Sequence, residues 1–64
     1  MPLTQQEWSE LQRGDRLRDR AGREWTATSD AYEQGREWRV ALRSGDAVRI
    51  ESHWHADGYE VVEG

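Results

Sequence analysis

Apolar and polar positions alternate most clearly between Glu37 and Trp54. Trp38, Val40 and Leu42 alternate with Glu37, Arg39, Ala41 and Arg43. After Ser44-Gly45-Asp46, the residues Val48, Ile50, Ser52 and Trp54 alternate with Ala47, Arg49, Glu51 and His53. A period of two puts each set on one face of a strand, and Ser44-Gly45-Asp46 makes a tight hairpin connection between them. Upstream, Trp25, Ala27 and Ser29 share one side of a strand, with Glu24, Thr26 and Thr28 on the other. A weaker alternation around Leu17 runs from Asp15 to Arg20, and Gly22 in Arg20-Ala21-Gly22-Arg23 supplies the turn between the two. Asp30 to Arg36 is the least patterned stretch, broken at Gly35. Ala56-Asp57-Gly58 interrupts the chain again before a last strand from Tyr59 to Glu63, where the adjacent Val61-Val62 implies burial on both sides or a bulge.

Only the N-terminus carries a helical period. Thr4 is an N-cap with Glu7 three residues later, the capping-box spacing, and Trp8 and Leu11 share a face at i, i+3. The spacing predicts a helix over about 4–12 with Gly14 as its left-handed cap. A helix this short is not stable alone, so it must lie as a lid over the rest. The chain therefore reads as mostly β: a short helix, then five short strands that bury one face best by curling into a small barrel over about 15–63. The expected inward positions are Leu17, Trp25, Ala27, Trp38, Val40, Leu42, Val48, Ile50, Trp54, Tyr59 and Val61, with Trp8 and Leu11 plugging one end.

Size sharpens this picture. Sixty-four residues make one domain. A domain so small gains only about 3–5 kcal/mol from an ordinary core, and with no cysteine there is no disulfide to help. The four tryptophans must take that part, since each buries roughly 150–250 Å²; at least three are expected in the core. No apolar run approaches the roughly 20 residues that cross a bilayer, and Met1-Pro2-Leu3-Thr4 lacks the regions of a signal peptide. A cytoplasmic chain with no membrane partner is expected.

The string from Gly14 to Ala27, with its Gly14-Asp15, Leu17, Asp19, Gly22 and Trp25, resembles the opening hairpin of SH3-like small barrels of the KOW and Tudor type. It is also similar to short proteins of GC-rich bacteria and their phages that end in a Trp…Tyr-Glu-Val pattern, here Trp54 and Tyr59-Glu60-Val61. The likeness runs from about Gly14 to Val62. It implies a five-stranded SH3-like barrel and leaves function open, because such barrels bind RNA, peptides or methylated side chains. No run of exposed tyrosines marks a proline-rich-peptide groove, and no aromatic cage is evident.

Three constellations bear on function. Nine cationic residues, all arginine, face thirteen acidic ones, for a net charge of −4. Arg13, Arg16, Arg18, Arg20 and Arg23 crowd into eleven residues, interrupted by Asp15 and Asp19. Arg16, Arg18 and Arg20 alternate onto the outer face of the first strand, where Arg39 and Arg43 extend the patch. Guanidinium groups in this pattern suit phosphate contacts, although the acidic balance and cross-strand Arg–Glu pairing are a simpler account. The acidic C-terminal third (Asp46, Glu51, Asp57, Glu60, Glu63) suits docking on a basic protein surface. His53, His55 and Asp57 are Zn²⁺ or Fe²⁺ ligand types on one strand face. Same-face neighbours nearly 7 Å apart cannot share an ion unless the strand bends, so no metal and no cofactor are expected.

Catalysis has little to draw on. Ser44-Gly45-Asp46 is a turn rather than a nucleophile elbow, and Gly35 and Gly45 lack the P-loop spacing and lysine. The expected function is a non-catalytic binding module: a protein-interaction, inhibitor or adaptor protein of a phage or mobile-element setting, either monomeric or a weak homodimer. The alternative is a nucleic-acid-binding barrel using Arg16, Arg18, Arg20, Arg39 and Arg43.

Overall fold

The computed structural model describes residues 2–62; Met1, Gly64 and Glu63, which carries the end of the expected last strand and part of the acidic set, lie outside them. The reciprocal capping box forms. The Thr4 hydroxyl accepts the Glu7 N–H at 3.1 Å, and the Glu7 carboxylate accepts the Thr4 N–H at 3.0 Å. That backbone bond is the main reason the Glu7 carboxyl titrates below its usual range. Helix α1 nevertheless covers only Gln5–Ser9 and is capped by Glu10, shorter than the spacing predicts. The Glu10 and Leu11 N–H groups tighten to i→i+3 bonds, and the Asp15 carboxylate takes the Gln12 N–H at 2.9 Å, pulling the chain into a separate turn. Gly14 has the left-handed backbone expected (φ 99°) but uses it in that turn.

Six strands follow: β1 (Arg16–Asp19), β2 (Glu24–Ala27), β3 (Tyr32–Gln34), β4 (Glu37–Ser44), β5 (Ala47–Ser52) and β6 (Tyr59–Val61). The extra strand, β3, lies in the stretch with least pattern. It is three residues long and is held by the tight Gly35-Arg36 turn, with Gly35 at φ 66°. All pairings are antiparallel in the order β3-β4-β2-β1-β6, and β5 lies on the other side of β4. Among the described residues no ladder joins β5 to β6, so the sheet is not closed. A 3₁₀ helix, His53–Gly58, carries the chain from one edge strand to the other.

The β4–β5 hairpin departs most from expectation. Its connection is two residues, Gly45-Asp46, with Gly45 at φ 60° in the first central position and no positive φ at Asp46, as in a II′ turn. Leu42 therefore stands opposite Arg49 and Val40 opposite Glu51, while Ala41 and Arg43 stand opposite Ile50 and Val48. Opposite residues of an antiparallel pair share a face. With Val40 and Leu42 fully buried, β5 must turn Arg49 and Glu51 toward the inner side and Val48 and Ile50 away from it. A connection of three residues would have reversed every one of these facings.

The core consists of Leu3, Trp8, Leu11, Leu17, Trp25, Ala27, Val40, Leu42, Ala56 and Tyr59. Trp8 closes one end as expected, its ring 5.5 Å from that of Tyr59 and its indole N–H on the Trp38 carbonyl at 3.1 Å. Trp38 is half-buried against this cluster. Four expected core residues are instead exposed: Val48 (71%), Ile50 (60%), Trp54 (61%) and Val61 (42%). The first two follow from the register. Trp54 follows from a change of period, because β5 stops at Ser52 and the 3₁₀ turn aligns residues three apart. His53, Ala56 and Tyr59 face inward, and Trp54 is left outside against the His53 ring. Val61 lies on β6, an edge strand paired only with β1, so neither burial on both sides nor a bulge is seen there.

Candidate interaction surface

The outer face of the sheet is built in rows that the pairing registers define. One row runs Arg16, Thr26, Arg43, Val48 across β1, β2, β4 and β5, and the next brings Ala41 beside Ile50. The backbone of β5 adds to this. The Ala41 carbonyl accepts the Thr28 N–H at 2.8 Å and the Ala41 N–H donates to the Ser29 hydroxyl at 3.3 Å, so both point away from β5. Ala41 and Ile50 are therefore a non-hydrogen-bonded pair, as are Arg43 and Val48. The N–H and C=O groups of Ile50 and Val48 face the open edge. Two exposed aliphatic side chains and four outward backbone groups thus occupy one stretch of edge strand.

On the inner side, the gap between β5 and β6 is bridged by side chains. Arg49 Nη1 donates to the Tyr59 hydroxyl at 2.7 Å, and that hydroxyl donates to Glu51 Oε2 at 3.0 Å. The Arg49 guanidinium also lies 4.3 Å from the centre of the Trp25 ring, and Arg23 approaches the same ring at 5.0 Å. The Trp25 indole N–H ends on Asp19 Oδ2 at 3.0 Å, while Asp19 Oδ1 accepts the Ala21 and Arg23 N–H groups of the β1–β2 turn. The Trp25 bond is the first cause holding the Asp19 carboxyl below its usual range. Burial pushes the Tyr59 phenol up. Beside this bridge opens a shallow groove of about 420 Å³, its walls including Asp19, Arg20, Arg49, His55, Asp57 and Tyr59. Its walls carry both acidic and basic groups.

The five arginines singled out from the sequence are all exposed or half-exposed, but most are engaged. Arg18 approaches Glu60 at 3.9 Å, Arg20 approaches Asp57 at 3.5 Å, and Arg39 meets Glu37 at 3.1 Å. Arg43 Nε donates to the Gly45 carbonyl at 2.8 Å, bracing the hairpin turn. Arg16 has no side-chain partner among the described residues. Arg16 and Arg43 flank Thr26 on β2, roughly 10 Å apart at two strand spacings. The acidic set is likewise dispersed, with Glu51 in the inner bridge and Asp57 and Glu60 each beside an arginine.

His53, His55 and Asp57 do not converge. His53 is buried, and its Nδ1 accepts the Trp38 N–H at 2.9 Å, so this nitrogen carries no proton and is committed to the backbone. His55 and Asp57 are exposed on the 3₁₀ turn. Among the described residues no three His, Cys, Asp or Glu side chains come together as a metal site, and no helix is long and apolar enough to cross a membrane.

Sequence reasoning missed Val48 and Ile50 as surface residues, and Arg49, Glu51 and Asp19 as bridge residues. The signal lay in the Gly45-Asp46 pair. A two-residue II′ turn opposes Leu42 to Arg49, which cannot be reconciled with Leu42 and Val48 facing the same way. Comparison of the chain with family models, curated proteins and solved structures found no match.

Proposed function

We propose that this chain is an SH3-like small barrel whose open seam is bridged by Arg49, Glu51 and Tyr59, and that it works as a non-catalytic module binding another protein chain at its β5 edge. The strand order supports the barrel reading, since the last strand returns to pair with the first and β5 and β6 are left as the two seam edges. The observation that carries the functional reading is the coincidence of exposed Val48 and Ile50 with their outward backbone groups on one open edge. An extended segment adding there would gain ladder hydrogen bonds for affinity and aliphatic contact for selectivity. The nucleic-acid alternative draws less support, because Arg18, Arg20 and Arg39 already lie against carboxylates.

The test is capture from native cell extract by the wild-type chain and by the double variant Val48→Lys/Ile50→Lys. A protein retained by the first and lost with the second is expected. Salt-dependent retention of the wild-type chain on heparin, together with equal capture by both forms, would transfer the function to the arginine face.

A further inference from the structure

We propose that the occupant of the β5 edge is a second copy of this chain, paired antiparallel about Ile50; this rests on the edge-binding reading above and names its partner. The edge's inward charges, Arg49 and Glu51, are of opposite sign, so they guard it only against registers that bring like charges together, and other protections are missing on its open side. It has no proline, no lysine and no bulge, and its register with β4 is unbroken over six residues.

Charge selects the register. An antiparallel pair through this edge keeps opposite residues on the same face, and its two-fold axis passes Val48, Arg49 or Ile50. Centred on Val48, each Arg49 would face an alanine, Ala47 of the other copy. Centred on Arg49, the two guanidinium groups would face each other. Centred on Ile50, each Arg49 stands opposite the other copy's Glu51, so two complementary pairs form on the inner face. In that register the two Ile50 side chains stand opposite each other on the outer face, each beside its own Ala41, and each Val48 stands opposite the other copy's Ser52. The sequence Val48-Arg49-Ile50-Glu51-Ser52 is thus charge-complementary to itself in one arrangement only.

The intramolecular bridge does not prevent this. Tyr59 takes a single Arg49 nitrogen, Nη1, of a guanidinium with five N–H donors. Arg49 and Glu51 of one chain stand 4.0 Å apart, each retaining exposed surface. A contact of six residues a side falls short of the roughly 1,200 Å² of a stable interface, so the pair is weak and concentration-dependent.

Sedimentation of the full wild-type chain over a concentration series reads the association, and single cysteines in this cysteine-free sequence read the register. The average mass is expected to rise from 7.5 kDa toward twice that as concentration is raised to about 1 mM. Ile50→Lys is expected to remain at the monomer mass. Ile50 and its symmetry mate would stand about 5.5 Å apart at Cα, within disulfide range, so Ile50→Cys is expected to cross-link on mild oxidation. Val48→Cys, displaced from its mate by about 13 Å along the strand, is expected not to. Near-ultraviolet circular dichroism of the buried tryptophans checks that each variant is folded. A wild-type chain that stays monomeric throughout, or equal cross-linking at both positions, overturns the inference. If a monomeric chain still captures an extract protein that the Val48→Lys/Ile50→Lys variant loses, the second copy is excluded and the edge-binding function stands. If that capture also fails, both are excluded.

Discussion

The β1–β2 and β4–β5 hairpins lie in the same sheet and contribute to the same core, yet they put opposite kinds of residue inside. In β1–β2, Leu17, Trp25 and Ala27 face inward and the arginines face out. In β4–β5, Val40 and Leu42 face inward, but across from them β5 presents Arg49 and Glu51 and leaves Val48 and Ile50 in solvent. The first turn is held by the Asp19 carboxylate through side-chain bonds. The second is set by backbone conformation at Gly45. Turn length decides which half of an alternating strand goes in, and the charged half is tolerated here because its partners are ready. Arg49 lies over the Trp25 ring and both Arg49 and Glu51 bond to the Tyr59 hydroxyl.

The comparison breaks first at Trp25, which serves both hairpins through its indole N–H on Asp19 and its ring beneath Arg49. Trp25→Ala is expected to cost about 3–5 kcal/mol, a large share of the stability of so small a domain, read as lost cooperative unfolding in urea. His53 fixes the end of β5 against β4. His53→Ala orphans the Trp38 N–H and is expected to cost about 1–3 kcal/mol, whereas His53→Asn, with an acceptor oxygen at the same reach, should recover part of it. Gly45→Ala forces a side chain into the left-handed region, and though the space around it is open, a loss of about 1–2 kcal/mol is expected.

Asp19 sharpens the contrast through pH. Its carboxyl titrates lower in the folded chain than in the unfolded one, so its contribution is fully present above the unfolded carboxylate range. It is lost as pH falls through the lower folded value. Thermal melts between about pH 2 and 6 should show this acid limb, and Asp19→Asn should flatten it. The β4–β5 turn is held instead by the Arg43 guanidinium, whose Nε–H reaches the Gly45 carbonyl at 2.8 Å.

What was legible in the sequence follows from the same physics. The capping box at Thr4 and Glu7, the inward Leu17, Trp25 and Ala27, and the lid formed by Trp8 and Leu11 rest on local spacing, and each is found. Strand β3 was not legible, because Tyr32-Glu33-Gln34 buries too little to leave an alternation. The 3₁₀ turn was hidden because His53-Trp54-His55 continues the period of β5 in residue type while the backbone changes to a period of three. At the candidate surface, the arginines of the outer face and their pairing with carboxylates were visible in kind, but not the partners: only Arg18–Glu60 crosses strands, while Arg20 meets Asp57 on the 3₁₀ turn and Arg39 meets Glu37 on its own strand. The edge formed by Val48 and Ile50 was hidden by apolarity itself, since two aliphatic residues in an alternating strand read as core unless the turn is counted.

Unfolding free energy of Ile50→Ala, measured by urea denaturation at a concentration where the chain is monomeric, tests this register most directly. An outward Ile50 predicts a change within about 0.5 kcal/mol of wild type. A loss of about 2–5 kcal/mol, the cost of emptying a buried isoleucine site, would mean that β5 faces the other way and that the exposed edge does not exist.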